Sequence, residues 1–277
     1  MNYNRLIVLL VLVTSACANL STVRDFAKTS SIVADNEPVI SGWPHVYDTA
    51  RMMAASPQVR KAAPDFQSKL KNEVKGANAD VPLALEAGKT LSLYMNVLGA
   101  LADDSLPDVS EQASNILSSL DSLGVINDKT KDATGSLLKL IGMSMDAWRG
   151  QAIGDLIKKS NGDVQTIASF LAATANAIEK ADKLAMSVSD QYWEATGALS
   201  KDPGVQALLL RAERQDDQVY ATRIAQADAA QGAFKKIAAA HAVLEKNADS
   251  LSGDAVRNTL SNDIPVLIAA LRVFHLD

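Results

Sequence analysis

Residues 164–199 read VQTIASFLAATANAIEKADKLAMSVSDQYWEATGAL, and the spacing of small and apolar side chains in this stretch decides the fold class. They fall at Val164, Ile167, Leu171, Thr174, Ile178, Ala181, Ala185, Val188, Tyr192, Ala195 and Leu199, in steps that alternate three and four. That is the seam of an α-helix packed lengthwise on a partner, since a strand would repeat every second residue. Asp163 is placed to cap its start. The following segment opens with Asp202-Pro203, a capping side chain followed by a proline whose missing N–H costs nothing in the first turn. It runs without another proline to Asp249, so one helix of about 47 residues and about 70 Å is expected. Its seam is Val205, Leu208, Ala212, Val219, Ala233, Ile237, Leu244 and Ala248. Its middle is polar, with Arg211, Glu213, Arg214, Asp216, Asp217 and Arg223. The plain reading of that cluster is a solvated face. The sharper one is a polar layer that sets register or receives a partner.

Working outward, the same periodicity predicts a helix over 82–102 and one through Leu123 that begins with the capping pair Asp108 and Glu111. A long helix over 128–160 carries Gly135, Gly142, Gly150 and Gly154, the last two spaced for close helix approach. A closing helix, kinked or restarted at Pro265, carries Val256, Leu260, Ile264, Leu267, Leu271 and Phe274. Before these, residues 22–35 suit a short helix, and Pro38, Gly42, Pro44, Pro57 and Pro64 divide the rest into short pieces. Apolar residues make up 48% of the chain and aromatics 5%, so the core is aliphatic and rich in alanine, which suits close-packed helices. No strand-like alternation bounded by hairpin turns occurs. The expected fold is all-α: an elongated antiparallel helical bundle with long coiled-coil-like helices.

At the N-terminus, Met1–Arg5 is polar with one positive charge, Leu6–Val13 is aliphatic, and Thr14-Ser15-Ala16 leads into Cys17, the only cysteine. The apolar run is less than half of the roughly 20 residues that span a bilayer, so it reads as a signal-peptide core. The segment resembles the lipobox of bacterial lipoproteins. That resemblance implies acylation of Cys17 on sulfur, cleavage before it, and acylation of the new amine. Ala18 and Asn19, with no Asp in second place, imply sorting to the outer membrane, facing the periplasm. The alternative is an ordinary signal peptide with an incidental cysteine. Acyl chains of this kind anchor stably, so the domain itself needs no membrane-binding surface. The expected organisation is a signal peptide over 1–16, a lipid-anchored segment with short helices over 17–80, and a helical bundle over 81–277. The net charge is −5, with basic and acidic residues interspersed, so nucleic acid is not an expected partner.

The chemistry is sparse. His45, His241 and His275 belong to no Glu-x-x-His or His-Glu-x-x-His pattern, and no phosphate loop, dinucleotide fingerprint or nucleophile elbow occurs. No metal or other cofactor and no enzymatic activity is expected. One stretch has the residue types of a binding site: Trp43, His45, Tyr47, Asp48 and Arg51, with Tyr47 and Arg51 on one helical face. The plain reading is an aromatic staple at the bundle end. Trp148 and Arg149 are similar, as is the pair Tyr192-Trp193. Tyr192 belongs to the seam, and Trp193 beside it suits an exposed interface anchor. His241 reads as a packed or edge histidine. The favoured function is that of a tethered adaptor or inhibitor holding an envelope protein. The alternative is a binder of a small apolar ligand or lipid within the bundle, and a remote one is an enzyme using the Trp43–Arg51 segment.

Overall fold

The structure is a computed structural model that describes residues 20–35, 37–41, 43–103, 105, 108–123, 127–142 and 153–275. Among them are ten helices and no strand. In chain order they are α1 (Ser21–Ala34), α2 (Glu37–Ser41), α3 (Trp43–Ala54), α4 (Pro57–Ala62), α5 (Phe66–Leu101), α6 (Ser110–Ser122), α7 (Asp128–Gly142), α8 (Ile153–Gly197), α9 (Pro203–Lys246) and α10 (Asp254–Phe274). The fold is all-α.

The two longest helices, α8 and α9, form an antiparallel hairpin with the most extensive contact in the molecule. Its register is set by paired levels. Lys158 meets Asp249 near the base, Asp182 meets Arg223 midway, and Trp193 meets Asp216 near the far end. The seam residues Val164, Ile167, Leu171, Ile178, Ala181, Ala185 and Val188 are all buried, facing Ala227, Ala230, Phe234, Ile237 and Leu244 of α9. Each large aliphatic taken out of water contributes about 1.5–3 kcal/mol. The alanines let the two backbones approach. At the base, Gly154 sits so close to the Ala248 carbonyl that a side chain there would collide with it.

Around this hairpin, α5 and α7 pack on α8, α10 packs on α9, α1 bridges α5 and α10, and α3 lies against α5 and α8. The Ser31 and Ser92 hydroxyls, 2.9 Å apart and buried, tie α1 to α5.

Several boundaries differ from expectation. Helix α8 starts at Ile153, so Asp163 lies within it and caps nothing. Burial of Leu156, Ile157 and Ser160 carries the helix through Asn161-Gly162, packing overriding weak local propensity. Gly150 lies outside the described residues, and the helix expected over 128–160 is described as α7 and the first turns of α8. Helix α5 starts at Phe66, with Pro82 inside it, rather than at Pro82. An interior proline costs about 3 kcal/mol. Burial of Leu70, Leu83, Ala84, Ala87, Leu91 and Leu98 offsets it. The division expected at 80/81 therefore falls within one continuous helix, and the helices on either side of it share one core. Asp108 accepts from the Ser110 N–H two residues on, while Val109 occupies the cap position of α6.

Candidate functional site

The base of the hairpin is locked by a buried polar chain. The Tyr94 hydroxyl on α5 lies 2.7 Å from His241 Nε2 on α9, and His241 Nδ1 lies 3.0 Å from Asn161 Oδ1 on α8. Since a carboxamide oxygen only accepts, Nδ1 carries the proton and Nε2 accepts from Tyr94. Gln165 Nε2 donates to the same Asn161 oxygen and to the Ala238 carbonyl, and Ser160 Oγ lies 2.8 Å from the Tyr94 oxygen. Burial holds the imidazole neutral, its pKa pushed down to about 3, and pushes the Tyr94 phenol well above its usual range. Serine, tyrosine and histidine in sequence resemble a proton-transfer relay. Here all three are fully buried, so a substrate has no route to them, and the chain fixes the register of three helices.

Midway along the hairpin is a second polar layer. The Asp182 carboxylate is fully buried, with Arg223 Nε at 3.3 Å. Its pKa is raised to about 6, because burial outweighs the pull of the guanidinium. One level further, Asp216 accepts from the Trp193 indole N–H at 2.8 Å, and Tyr192 meets Trp193 edge-on at 5.1 Å. Tyr220 is buried beside them, its hydroxyl pushed up to about 12 first by burial and then by Asp216 and Asp182. The polar cluster of α9 is thus divided. Asp216 and Arg223 engage α8, while Arg211 and Arg214 are exposed.

Beyond Ser189 on α8 and before Tyr220 on α9, no residue is buried. The seam continues in sequence, but Tyr192 and Ala195 are only half-buried and Leu199 is 70% exposed. On α9, Leu208 is 68% and Leu210 53% exposed, and Val205 and Val219 are exposed too. Asp202 Oδ1 accepts from the N–H groups of Gly204 (2.7 Å) and Val205 (3.1 Å), and Gln206 Nε2 donates to the Ser200 carbonyl, so this end is ordered by its own caps. The hairpin therefore presents a distal end of aliphatic side chains with no covering element among the described residues.

The Trp43–Arg51 stretch falls on α3. Tyr47 is fully buried in the core, whereas Asp48 and Arg51 pair with each other at 3.3 Å and are both more than half exposed. Tyr47 and Arg51 share a helical face in position, but the guanidinium reaches outward to its carboxylate. The side chains of Trp43 and His45 lie outside what is described, as do Cys17, Trp148 and Arg149. Trp193 is half-buried and tied to Asp216 rather than standing out as an anchor. Sequence reasoning passed over Leu209 and Leu210, and it counted Leu199, Val205 and Leu208 as seam. Among the described residues no group of three His, Cys, Asp or Glu side chains is placed to hold a metal ion, and no helix is long and apolar enough to cross a membrane. A groove of about 430 Å³ beside α5 is lined by polar side chains, Glu86, Lys89, Asn96 and Gln112 among them, together with Leu93 and Ile116. No protein-family model matches the chain, no curated protein is similar to it, and no solved structure matches it.

Proposed function

We propose that the chain is a lipid-anchored lipoprotein of the outer membrane, facing the periplasm, that works as a helical interaction protein and engages its partner through the distal end of the α8–α9 hairpin. One observation carries this reading: an end with no buried residue exposes Leu199, Leu208 and Leu210, on a hairpin whose base is locked by buried polar contacts. Exposed aliphatic side chains gathered at one end of a supported hairpin are a feature of interaction sites.

The start of α1 and the distal end of the hairpin lie at opposite sides of the body. Phe274, at the end of α10, accepts a hydrogen bond from Gln226 and shares a groove with Ser31 and Ile32 at the end of α1. Helix α1 runs along α10, so its first residues lie toward the hairpin base. From Gln226, α9 continues to Pro203 over roughly 35 Å at 1.5 Å per residue. An acyl group on Cys17, three residues before Leu20, would hold the base and leave the distal end to reach outward.

The test uses the full-length chain in cells, with Cys17→Ser and with the pair Leu208→Asp and Leu210→Asp. Metabolic labelling with a fatty acid is expected to mark the parent and not Cys17→Ser. Chemical crosslinking is expected to give an adduct that both the anchor and tip variants lose. Label retained in Cys17→Ser, or adducts indifferent to the tip, would overturn the proposal.

A further inference from the structure

We propose that the α8–α9 hairpin is a pH-gated arm: its distal part, residues 183–222, opens from the level of Asp182 outward more readily when that carboxyl is ionised, and closes when it is protonated. The gating holds whatever the distal end engages. Its first ground is an unmet polar demand at that level. Asp182 is fully buried, and its Oδ2 lacks a hydrogen bond among the described residues. Arg223 Nε lies 3.3 Å from the carboxylate, while Arg223 Nη2 is buried with no acceptor among the same residues. A buried ion pair with unsatisfied atoms does not recover the cost of leaving water. Parting the helices lets water relieve that cost, whereas protonation relieves it with the helices in contact. Arg223 of α9 is the charge that bears on Asp182, and Tyr220 of α9 lies beside it. Helices α3, α4, α5 and α7 also pack on α8, and no titratable or charged group described on them bears on this carboxyl.

The second ground is how little holds the arm beyond this level. Between Asp182 and Arg223 the buried residues are Ala185, Val188, Ser189 and Tyr220. The base has the aliphatic seam from Val164 to Ile178 and the Tyr94–His241–Asn161 chain. Segments with few buried contacts open locally while the rest of the fold stays closed.

The third ground is like charge across the arm. Asp190 of α8 meets Asp217 of α9 carboxyl to carboxyl, with Glu213 near, and Asp217 Oδ1 is buried with no donor among the described residues. Burial, then Asp217 and Glu213, push the Asp190 carboxyl above its usual range. Ionised, these groups favour separation of the two helices, in the same direction as Asp182.

The size of the effect follows from Asp182. A carboxyl held at about 6 in the closed arm, against 3.8 in water, takes up its proton on closing, so closing is favoured as the pH falls through 6. Between pH 7 and pH 5 the opening equilibrium should fall about tenfold.

The test is amide hydrogen exchange of the full chain carrying Cys17→Ser at pH 7 and at pH 5, each rate corrected for the intrinsic pH dependence of exchange. Amides of 186–196 and 206–219 are expected to open about tenfold more often at pH 7. Amides of 164–171 and 233–241, in the base, are expected to show no such rise. Asp182→Asn, which keeps the shape and cannot ionise, should remove the difference, while His45→Gln and His275→Gln should keep it. Equal opening at the two pH values, the same rise in the base, a rise kept in Asp182→Asn, or one lost in either histidine variant overturns the inference. A tip that crosslinks to nothing removes the working surface and leaves the gating in place.

Discussion

Two buried ionisable groups, His241 and Asp182, should give this protein opposing responses to mild acid that partly offset in the parent and separate in variants. His241 is held neutral with a pKa near 3, against 6.5 for an unconstrained imidazole. The unfolded chain therefore takes up a proton that the folded one refuses, and stability that is complete above pH 6.5 is lost as the pH falls toward 3. Between about pH 7 and about pH 5 this removes about 2 kcal/mol. Asp182 acts the other way. Its pKa of about 6, against 3.8 unfolded, means the folded state binds the proton first, so the cost of a buried charge is relieved as the pH falls through 6. Over the same interval that adds about 1 kcal/mol. The parent should thus lose less by these two groups together than by His241 alone. Removing one group exposes the other: His241→Gln should gain about 1 kcal/mol on acidification and Asp182→Asn should lose about 2 kcal/mol. Arg223, with 16% of its side chain exposed, can turn to water when Asp182 is neutralised. Urea unfolding followed by far-ultraviolet circular dichroism at the two pH values measures all three. Variants that follow the parent's slope, or that shift in the same direction, would refute the assignment of buried protonation states.

Further outcomes follow from the packing. Tyr94→Phe leaves His241 Nε2 without its donor in a dry site and should cost about 1–3 kcal/mol in the same unfolding assay. Gly88→Ala puts a methyl group 2.8 Å from the Ala34 carbonyl and should destabilise by about 1–3 kcal/mol. Gly162→Ala and Gly232→Ala meet nothing within 4 Å, so helix propensity should dominate and each should stabilise by about 0.8–1 kcal/mol. Leu208→Asp removes an exposed side chain and should change unfolding free energy by less than about 0.5 kcal/mol, which separates a docking role from a folding one.

What was legible in the sequence was the period, and what was not was whether anything lies against it. The alternation of threes and fours from Val164 to Val188 corresponds residue for residue to a buried seam. The same alternation continues through Tyr192, Ala195 and Leu199, where none of the described helices buries it, because spacing records a face and not its partner. Val205, Leu208 and Val219 were taken as seam on the same ground and are exposed. The Asp202-Pro203 start was readable because capping is local, whereas Asp163 has the right chemistry for a cap and sits within α8, kept helical by distant contacts. The Tyr94–His241 contact joins residues 147 apart, and nothing in the spacing of either marks the other. Tyr47 and Arg51 illustrate the limit of face arguments: placed four apart on a helix, one is buried in the core while the other is exposed and pairs with Asp48.

The central claim, that the distal end of the hairpin is the working surface, is tested most directly by a photo-crosslinking side chain placed in the full-length protein in living cells. The positions are Leu199, Leu208 and Leu210, with Met52, equally exposed on α3, as the reference. Adducts to lipid or protein from the three tip positions and none from Met52 are the predicted result. Adducts from Met52 alone, equal labelling at all four positions, or no adducts at the tip would contradict it.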